Sequence, residues 1–362
     1  MLKQAADFVS KCRPAETVII YHKSCGDGIC AAAILARAIG KISGGLPTIE
    51  SYTYSESFAK LAEKIQKFKK IIFIDLAIDK YESELIAIKK SSEILLIDHH
   101  ELTNNLNDTG ILHVHPKFFY SGNSSRYVGA KLAYDICAEV TDVKKICWLA
   151  GVGLVHDMGS EDFKEFMDFI YKEYPELKAG KNVYGFDSRL GQITSVITAA
   201  SYSETAEKTA IKLCIVANDP MAILERKYSE ANELMKFKED ISKEIDDYVK
   251  NWKSRANYYE DLKLAVYEIK SKHDINSPAA TILSIRNPDV IFVLYKILSG
   301  IVNINMRSHA QRINCAELAK RITAKLENGT GGGHIPAAGG SFAVKDLKKF
   351  LELVPKLVKE ML

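Results

Sequence analysis

Asp98, His99 and His100 follow a short apolar run, Ile94-Leu95-Leu96-Ile97. A carboxylate and two imidazoles at the end of what reads as a buried strand are the donor types that hold a divalent metal ion. Other segments repeat the arrangement. Asp75 follows Ile71–Ile74, Asp157 lies in Val155-His156-Asp157-Met158-Gly159, and His22 and Asp27 follow Val18–Tyr21. Buried parallel strands carry polar residues to one edge of their sheet, and ligands bind at that edge. Four separate apolar segments that each deliver Asp or His are hard to explain as core packing.

The chemistry these residues could do is metal-assisted attack on phosphorus. Carboxylates and imidazoles suit Mn²⁺, Fe²⁺, Co²⁺ or Zn²⁺, with Mg²⁺ a harder alternative. Two such ions about 3.5–4 Å apart clamp a phosphoryl group and generate hydroxide at neutral pH. Asp75 is the expected bridge, because it should end a central strand. Asp27, His99 and Asp157 would complete one metal position and His22 would serve the other. His100 is placed to meet a substrate phosphate or a proton, and Asp98 to orient its neighbours.

A second cluster spans Gly329 to Gly340 and contains Gly331, Gly332, Gly333 and His334. Successive glycines let backbone N–H groups turn toward an anion, so a phosphate-holding loop is expected. Upstream, Arg307 and Ser308 end a strand-like segment, from which Arg307 could fork onto a phosphate.

The elements that must position these residues form two sets. Over residues 1–160, strand-like runs alternate with helical ones, which argues for a doubly wound, mostly parallel α/β sheet. Residues 160–215 read as mainly helical, a helical insertion interrupted by Gly180, Gly185 and Gly191. After Asp219-Pro220 comes a long charged helix, with Leu234, Phe237, Ile241, Ile245, Tyr248 and Trp252 on one stripe. Strand-like segments return at Leu264–Lys270, Val290–Lys296 and Ile301–Met306. We therefore expect a metal-binding catalytic domain at 1–215, a helical connector at 216–257 and a smaller α/β substrate domain at 258–362, with a cleft between the two α/β domains.

Composition narrows the function classes. The 362 residues carry 49 basic and 46 acidic side chains, net charge +3, which does not mark a dedicated polyanion binder. Seven scattered cysteines form no CxxC pair, as expected of a reducing cytoplasm. No stretch approaches the ~20 apolar residues that span a membrane, so no membrane partner is expected. Taken singly, Asp98-His99-His100 could be a capped turn, the glycine run a flexible turn and Arg307 a salt-bridge partner. His113 and His115 read as structural or solvated, His156 as a satisfied neighbour of Asp157 or a further metal donor, and Ser124-Ser125 as a helix cap.

The motifs together resemble the DHH–DHHA1 phosphoesterase superfamily. The resemblance rests on His22-Lys23-Ser24-Cys25-Gly26-Asp27-Gly28, Asp75, Asp98-His99-His100, Asp157, Arg307-Ser308 and Gly331-Gly332-Gly333-His334 with Ala337-Ala338-Gly339-Gly340. It implies one or two divalent ions, Mn²⁺ above all, held by His22, Asp27, Asp75, His99 and Asp157. It also implies substrate contacts from His100, Arg307, Ser308, His334 and the glycines. The implied activity is hydrolysis of phosphodiester bonds in single-stranded DNA or RNA or short oligonucleotides, acting as an exonuclease. Two alternatives accompany it: a scaffold in a replication complex with a GINS-type partner, or a phosphohydrolase of cyclic dinucleotides or polyphosphate. One departure stands out. The family's first motif usually carries Asp-x-Asp, and here Cys25 takes the first position, either as a ligand for a borderline metal or as a weakened second site.

Overall fold

The computed structural model describes residues 1–54 and 56–362. The chain divides into two compact units, Met1–Lys238 and Glu239–Leu362.

The first unit is built on five parallel strands, β1 (Thr17–His22), β2 (Thr48–Tyr52), β3 (Lys70–Ile74), β4 (Glu93–Ile97) and β5 (Leu112–Val114), in the order β2-β1-β3-β4-β5. Alternate side chains feed two separate cores. Ile19, Tyr21, Ile72, Ile74, Leu95, Ile97 and Val114 face one side, while Val18, Ile20, Ile71, Phe73, Ile94 and Leu96 face the other. With both faces covered, the central strands are apolar at nearly every position instead of alternating. Truncating a fully buried residue such as Ile72 to Ala should cost about 2–5 kcal/mol. The edge strand β2, with Thr48, Glu50 and Ser51, has no such run, which is why sequence pattern does not reveal it.

Helices α1 (Leu2–Ser10) and α2 (Gly26–Ser43) join the first core, and α3 (Phe58–Ile65) and α4 (Glu82–Lys89) cover the second. Ala31, Ala32 and Ala33 make α2 slim enough to sit centrally. Around it lie α5 (Gly129–Ala138), α6 (Cys147–His156), α7 (Lys164–Glu173), α8 (Arg189–Ala200), α9 (Glu204–Val216) and the short α10 (Met221–Leu224). The helix α6 is apolar all round and buried on all sides, Trp148 included. Asp157 therefore follows a buried helix, not a strand. Ser124 and Ser125 lie in a short 3-10 turn capped by Asn123, and α5 takes its cap from elsewhere. The boundary between the units falls inside α11 (Ser229–Lys250), which buries Ala231, Leu234, Ile241, Ile245 and Val249.

The second unit begins with the end of α11 and the short α12 (Trp252–Arg255). A six-stranded sheet follows, from β6 (Asn257–Tyr259), β7 (Leu264–Glu268), β8 (Ile291–Leu298), β9 (Ile301–Ser308), β10 (Thr330–His334) and β11 (Ala337–Ala343). The order is β10-β11-β9-β8-β7-β6, and only β7 and β8 run parallel, joined through α13 (Asn276–Arg286). Val266, Val293, Ile304, Met306, Ala338 and Phe342 pack on α14 (Cys315–Thr323) and α15 (Leu347–Met361). The glycine run expected as a loop is instead an antiparallel hairpin, with Gly331 opposite Gly340 and Gly332 opposite Gly339. Glycine's absent side chain hides the period-two pattern by which strands are recognised.

Candidate metal centre

In the order β2-β1-β3-β4-β5 the chain changes direction between β1 and β3, and it is at the carboxyl ends of the strands beside such a switch point that ligands bind in open α/β sheets. His22 ends β1, Asp75 follows β3, and Asp98, His99 and His100 follow β4. Asp27 enters from the first turn of α2 and Asp157 from the end of α6. One ligand atom from each of Asp27, Asp75, His99 and Asp157 lies within 4.8 Å of all the others. His99 Nε2 is 3.3 Å from Asp75 Oδ1, 3.5 Å from Asp157 Oδ2 and 3.8 Å from Asp27 Oδ2.

The chain aims these groups by backbone contacts. His99 Nδ1 lies 2.9 Å from the Ser125 carbonyl. A carbonyl only accepts, so Nδ1 carries the proton and Nε2 is left to face the carboxylates. The Asp27 carboxylate accepts from Gly129 N–H at 2.6 Å and Ala130 N–H at 2.9 Å, and is thereby the cap of α5. Arg126 Nη1 donates to the Asp157 carbonyl at 2.7 Å. Asp75 adopts φ 59°, a left-handed conformation that is costly for a non-glycine residue and tends to cluster at functional sites.

Two glycines let the elements close on the carboxylates. A Cβ on Gly153 would lie 2.1 Å from Asp27 Oδ1, and one on Gly28 would lie 2.9 Å from Asp75 Oδ2 and 2.5 Å from the His22 carbonyl. Sequence pattern gives no hint of Gly153, because α6 is an apolar helix in which glycine has no local role. Its partner Asp27 is distant along the chain.

The electrostatics are those of a site built for a cation. Burial, with Asp75 and Asp157 adding to it, pushes the Asp27 carboxyl well up, and burial with Asp75 raises Asp157. Burial also opposes the charge of Asp75 and His99. Their mutual contact outweighs it, with Asp75 falling to about 2 and His99 rising to about 10. Both Asp75 oxygens, His99 Nε2 and His22 Nδ1 are buried without a hydrogen-bond partner. Orphaned anionic oxygens facing unpaired imidazole nitrogens are costly in a bare protein and natural around a divalent ion. The donor set therefore fits the metal.

The remaining predicted residues surround this core. His100 Nδ1 lies 2.6 Å from Asp98 Oδ1, which with the other carboxylates overcomes burial and raises His100 to about 9. Cys25, at the cap of α2, is buried and belongs to a group with His22 and Asp75 and to another with His156 and Asp157. His156 thus stands beside the centre, with Nδ1 2.9 Å from Thr198 Oγ1. His115 Nε2 holds the His100 carbonyl at 2.8 Å, and burial lowers His113 to about 4. Tyr54 carries no sequence signal, yet its ring centroid is 5.2 Å from that of His22, and its hydroxyl accepts from Ala77 N–H at 2.8 Å.

In the second unit, strand register brings Arg307 and His334 into one row, since Arg307 pairs with Ala337 and Ala337 with His334. Residues directly opposite share a face. That face continues through Asn305, Gly339 and Gly332. Arg307 is held by Ser277 Oγ at 3.0 Å and Thr281 Oγ1 at 3.3 Å on α13. His334 and Gly333 are exposed, and Gly331 and Gly332 half-buried. Ser308 is placed differently: it is buried, and its hydroxyl accepts from Arg312 N–H at 2.9 Å, closing the turn after β9.

Two family models match the chain, the N-terminal domain of the DHH family over residues 16–165 and the DHHA1 domain over residues 261–360. The chain belongs to the DHH/DHHA1 superfamily. Among solved structures, RecJ from Thermus thermophilus in complex with Mn²⁺ is similar at TM-score 0.74 and 17% identity, over 100% of this chain and 55% of RecJ. This chain thus spans about half of that RecJ. A second exonuclease RecJ, bound to manganese, gives TM-score 0.74 at 16% identity, over 100% of this chain and 95% of the other. CDC45 from Entamoeba histolytica gives TM-score 0.55 at 12% identity, covering 99% and 97%. No curated protein sequence matches. At these identities the likeness to solved structures is one of fold. Among the described residues of this DHH/DHHA1 chain, no helix is long and apolar enough to cross a membrane.

Proposed function

We propose that this DHH/DHHA1 chain hydrolyses phosphodiester bonds in single-stranded nucleic acid or short oligonucleotides, from a strand end, with Mn²⁺ as its cofactor. The observation that carries the reading is the convergence of Asp27, Asp75, His99 and Asp157, with both Asp75 oxygens and His99 Nε2 buried and unpartnered. When bound, the metal supplies Lewis-acid polarisation of the phosphate and an activated water.

The residues do the rest. Ser125 and the α5 N–H groups hold His99 and Asp27 in ligating orientation. His100, tied through Nδ1 to Asp98, would donate from Nε2 to a phosphate oxygen, or give that proton to the leaving oxygen as its bond to phosphorus breaks. Arg307 and His334 grip a phosphate of the strand from one sheet face. Near-neutral net charge favours short strands, because long-strand affinity is built from many Lys/Arg–phosphate contacts.

The test supplies Mn²⁺ and, in parallel, end-labelled dinucleotide, a long single strand and polyphosphate. Mononucleotide release is expected from the first two, falling at least about 100-fold in Asp75→Asn, since even outer-shell partners of a metal are worth 10–100-fold. Release of phosphate from polyphosphate alone would move the substrate to a small molecule. A wild type indistinguishable from Asp75→Asn on every substrate would sink the hydrolase and leave the scaffold reading.

A further inference from the structure

The metal centre contains two donor sets of different chemical character that meet at Asp75. Asp27, Asp75, His99 and Asp157 offer three carboxylates and one imidazole. His22, Cys25 and Asp75 offer one imidazole, one sulfur and one carboxylate, their ligand atoms all within 4.8 Å of one another. His22 Nδ1 is 3.9 Å from Asp75 Oδ2, and both atoms are buried without a hydrogen-bond partner. Asp75 is fully buried, so its second oxygen faces this set with nothing else to satisfy it.

Hard oxygen donors suit Mg²⁺ and Mn²⁺, while sulfur selects Zn²⁺, Co²⁺ and Fe²⁺. We propose that the two positions are chemically unequal: the carboxylate-rich set takes a manganese-class ion, and the His22–Cys25–Asp75 set takes a thiophilic ion of the zinc–cobalt class, with Asp75 shared. This deepens the proposed function and rests on its metal centre, but it concerns which ions are held, not which strand is cut. Binding forms a bond from Cys25 Sγ to the ion as the S–H bond breaks, and the proton leaves to solvent. Oxidation states do not change.

Cobalt is the probe, because a thiolate bound to Co²⁺ gives a near-ultraviolet charge-transfer band that carboxylates and imidazoles do not. The full chain, stripped of metal, is titrated with Co²⁺ and followed by absorption. The band is expected in wild type and in Cys30→Ala, because Cys30 is a core residue and belongs to none of the candidate ligand groups among the described residues. It should vanish in Cys25→Ser and weaken in His22→Gln. Cys25→Asp should show no band and should bind manganese at both positions by elemental analysis. Circular dichroism identifies any variant that has failed to fold, and Cys25→Asp keeps the question decidable if Cys25→Ser does not fold.

A wild type that binds Co²⁺ without the band, or a band surviving Cys25→Ser, overturns the proposal. Loss of the band in His156→Gln but not in His22→Gln also overturns it, by moving the ion to the Cys25–His156–Asp157 group. The outcome is separable from the function. A cobalt–sulfur band with no hydrolysis of any strand keeps this inference and defeats the phosphodiesterase. Manganese-dependent hydrolysis without the band does the reverse.

Discussion

On the proposed function, the metal centre and the Arg307–His334 sheet face would hold a phosphoester in opposite ways. At the centre, the atoms that face one another are buried and have no hydrogen-bond partner: both Asp75 oxygens, His99 Nε2 and His22 Nδ1. On the sheet face, Arg307 is already tied to Ser277 and Thr281, and His334 is exposed. The first arrangement has ion pairs but no hydrogen bonds until a cation arrives, whereas the second is hydrogen-bonded without a ligand. A buried, unsatisfied constellation should therefore tolerate almost no change in geometry, and an exposed, satisfied one should lose affinity by degrees.

The hardest blow to that contrast is Gly153→Ala, at a residue that offers no ligand atom and is distant along the chain from Asp27. The new Cβ would lie 2.1 Å from Asp27 Oδ1 and 2.7 Å from Ala130 Cβ. Either Asp27 leaves the cluster and uncaps α5, or α6 backs away with Asp157. We expect manganese affinity, read by calorimetric titration, to fall at least about 100-fold, with about 1–3 kcal/mol lost from stability through overpacking. Unchanged affinity would show that the centre adapts and that its burial is not what fixes the ligands.

The milder blow is Arg307→Ala. It removes a charge-assisted contact on an otherwise intact sheet, worth about 1.5–3 kcal/mol, so KM for an oligonucleotide should rise about 10-fold or more while manganese affinity stays put. Arg307→Lys should recover only part, because an ammonium cannot make the forked contact. A fall in kcat with KM unchanged would place Arg307 in the chemistry instead and erase the distinction between the two regions.

The two regions are also unequally legible in the sequence. Around the centre, each ligand after a parallel strand is announced by the apolar run before it, so Asp75 and Asp98-His99-His100 stand out. Asp157 is visible through the same apolarity, though the run proves to be a helix: continuous burial erases the difference between periods of 2 and 3.6. The groups that aim these residues, Ser125, Arg126, Gly129 and Gly153, leave no signal, because their partners are distant along the chain and all but Arg126 act through backbone atoms or an absent side chain. In the second unit the glycine run points to an anion site by composition, but its hairpin form and its row with Arg307 are properties of register. Register depends on partner strands. Ser308, visible only by adjacency to Arg307, faces its own turn.

The smallest expected effect on chemistry comes from Glu207, and it tests whether unpartnered burial alone marks a site. Both Glu207 oxygens are buried without a hydrogen-bond partner, as Asp75's are. Yet among the described residues no cluster of potential metal ligands includes it. Burial raises its carboxyl from 4.5 to about 7. The native state then holds the proton more tightly than the unfolded chain does. Its contribution to stability is full below pH 4.5, fades as pH rises through about 7, and is absent above. Glu207→Met has no such titration. Relative to wild type it should gain up to about 3 kcal/mol between about pH 4 and pH 8 in urea unfolding, because holding a proton one pH unit more tightly is worth about 1.36 kcal/mol. Manganese should change neither that gain nor turnover. If it does change them, Glu207 communicates with the centre. If it does not, what separates Asp75 from Glu207 is the ring of imidazoles and carboxylates around it, not burial.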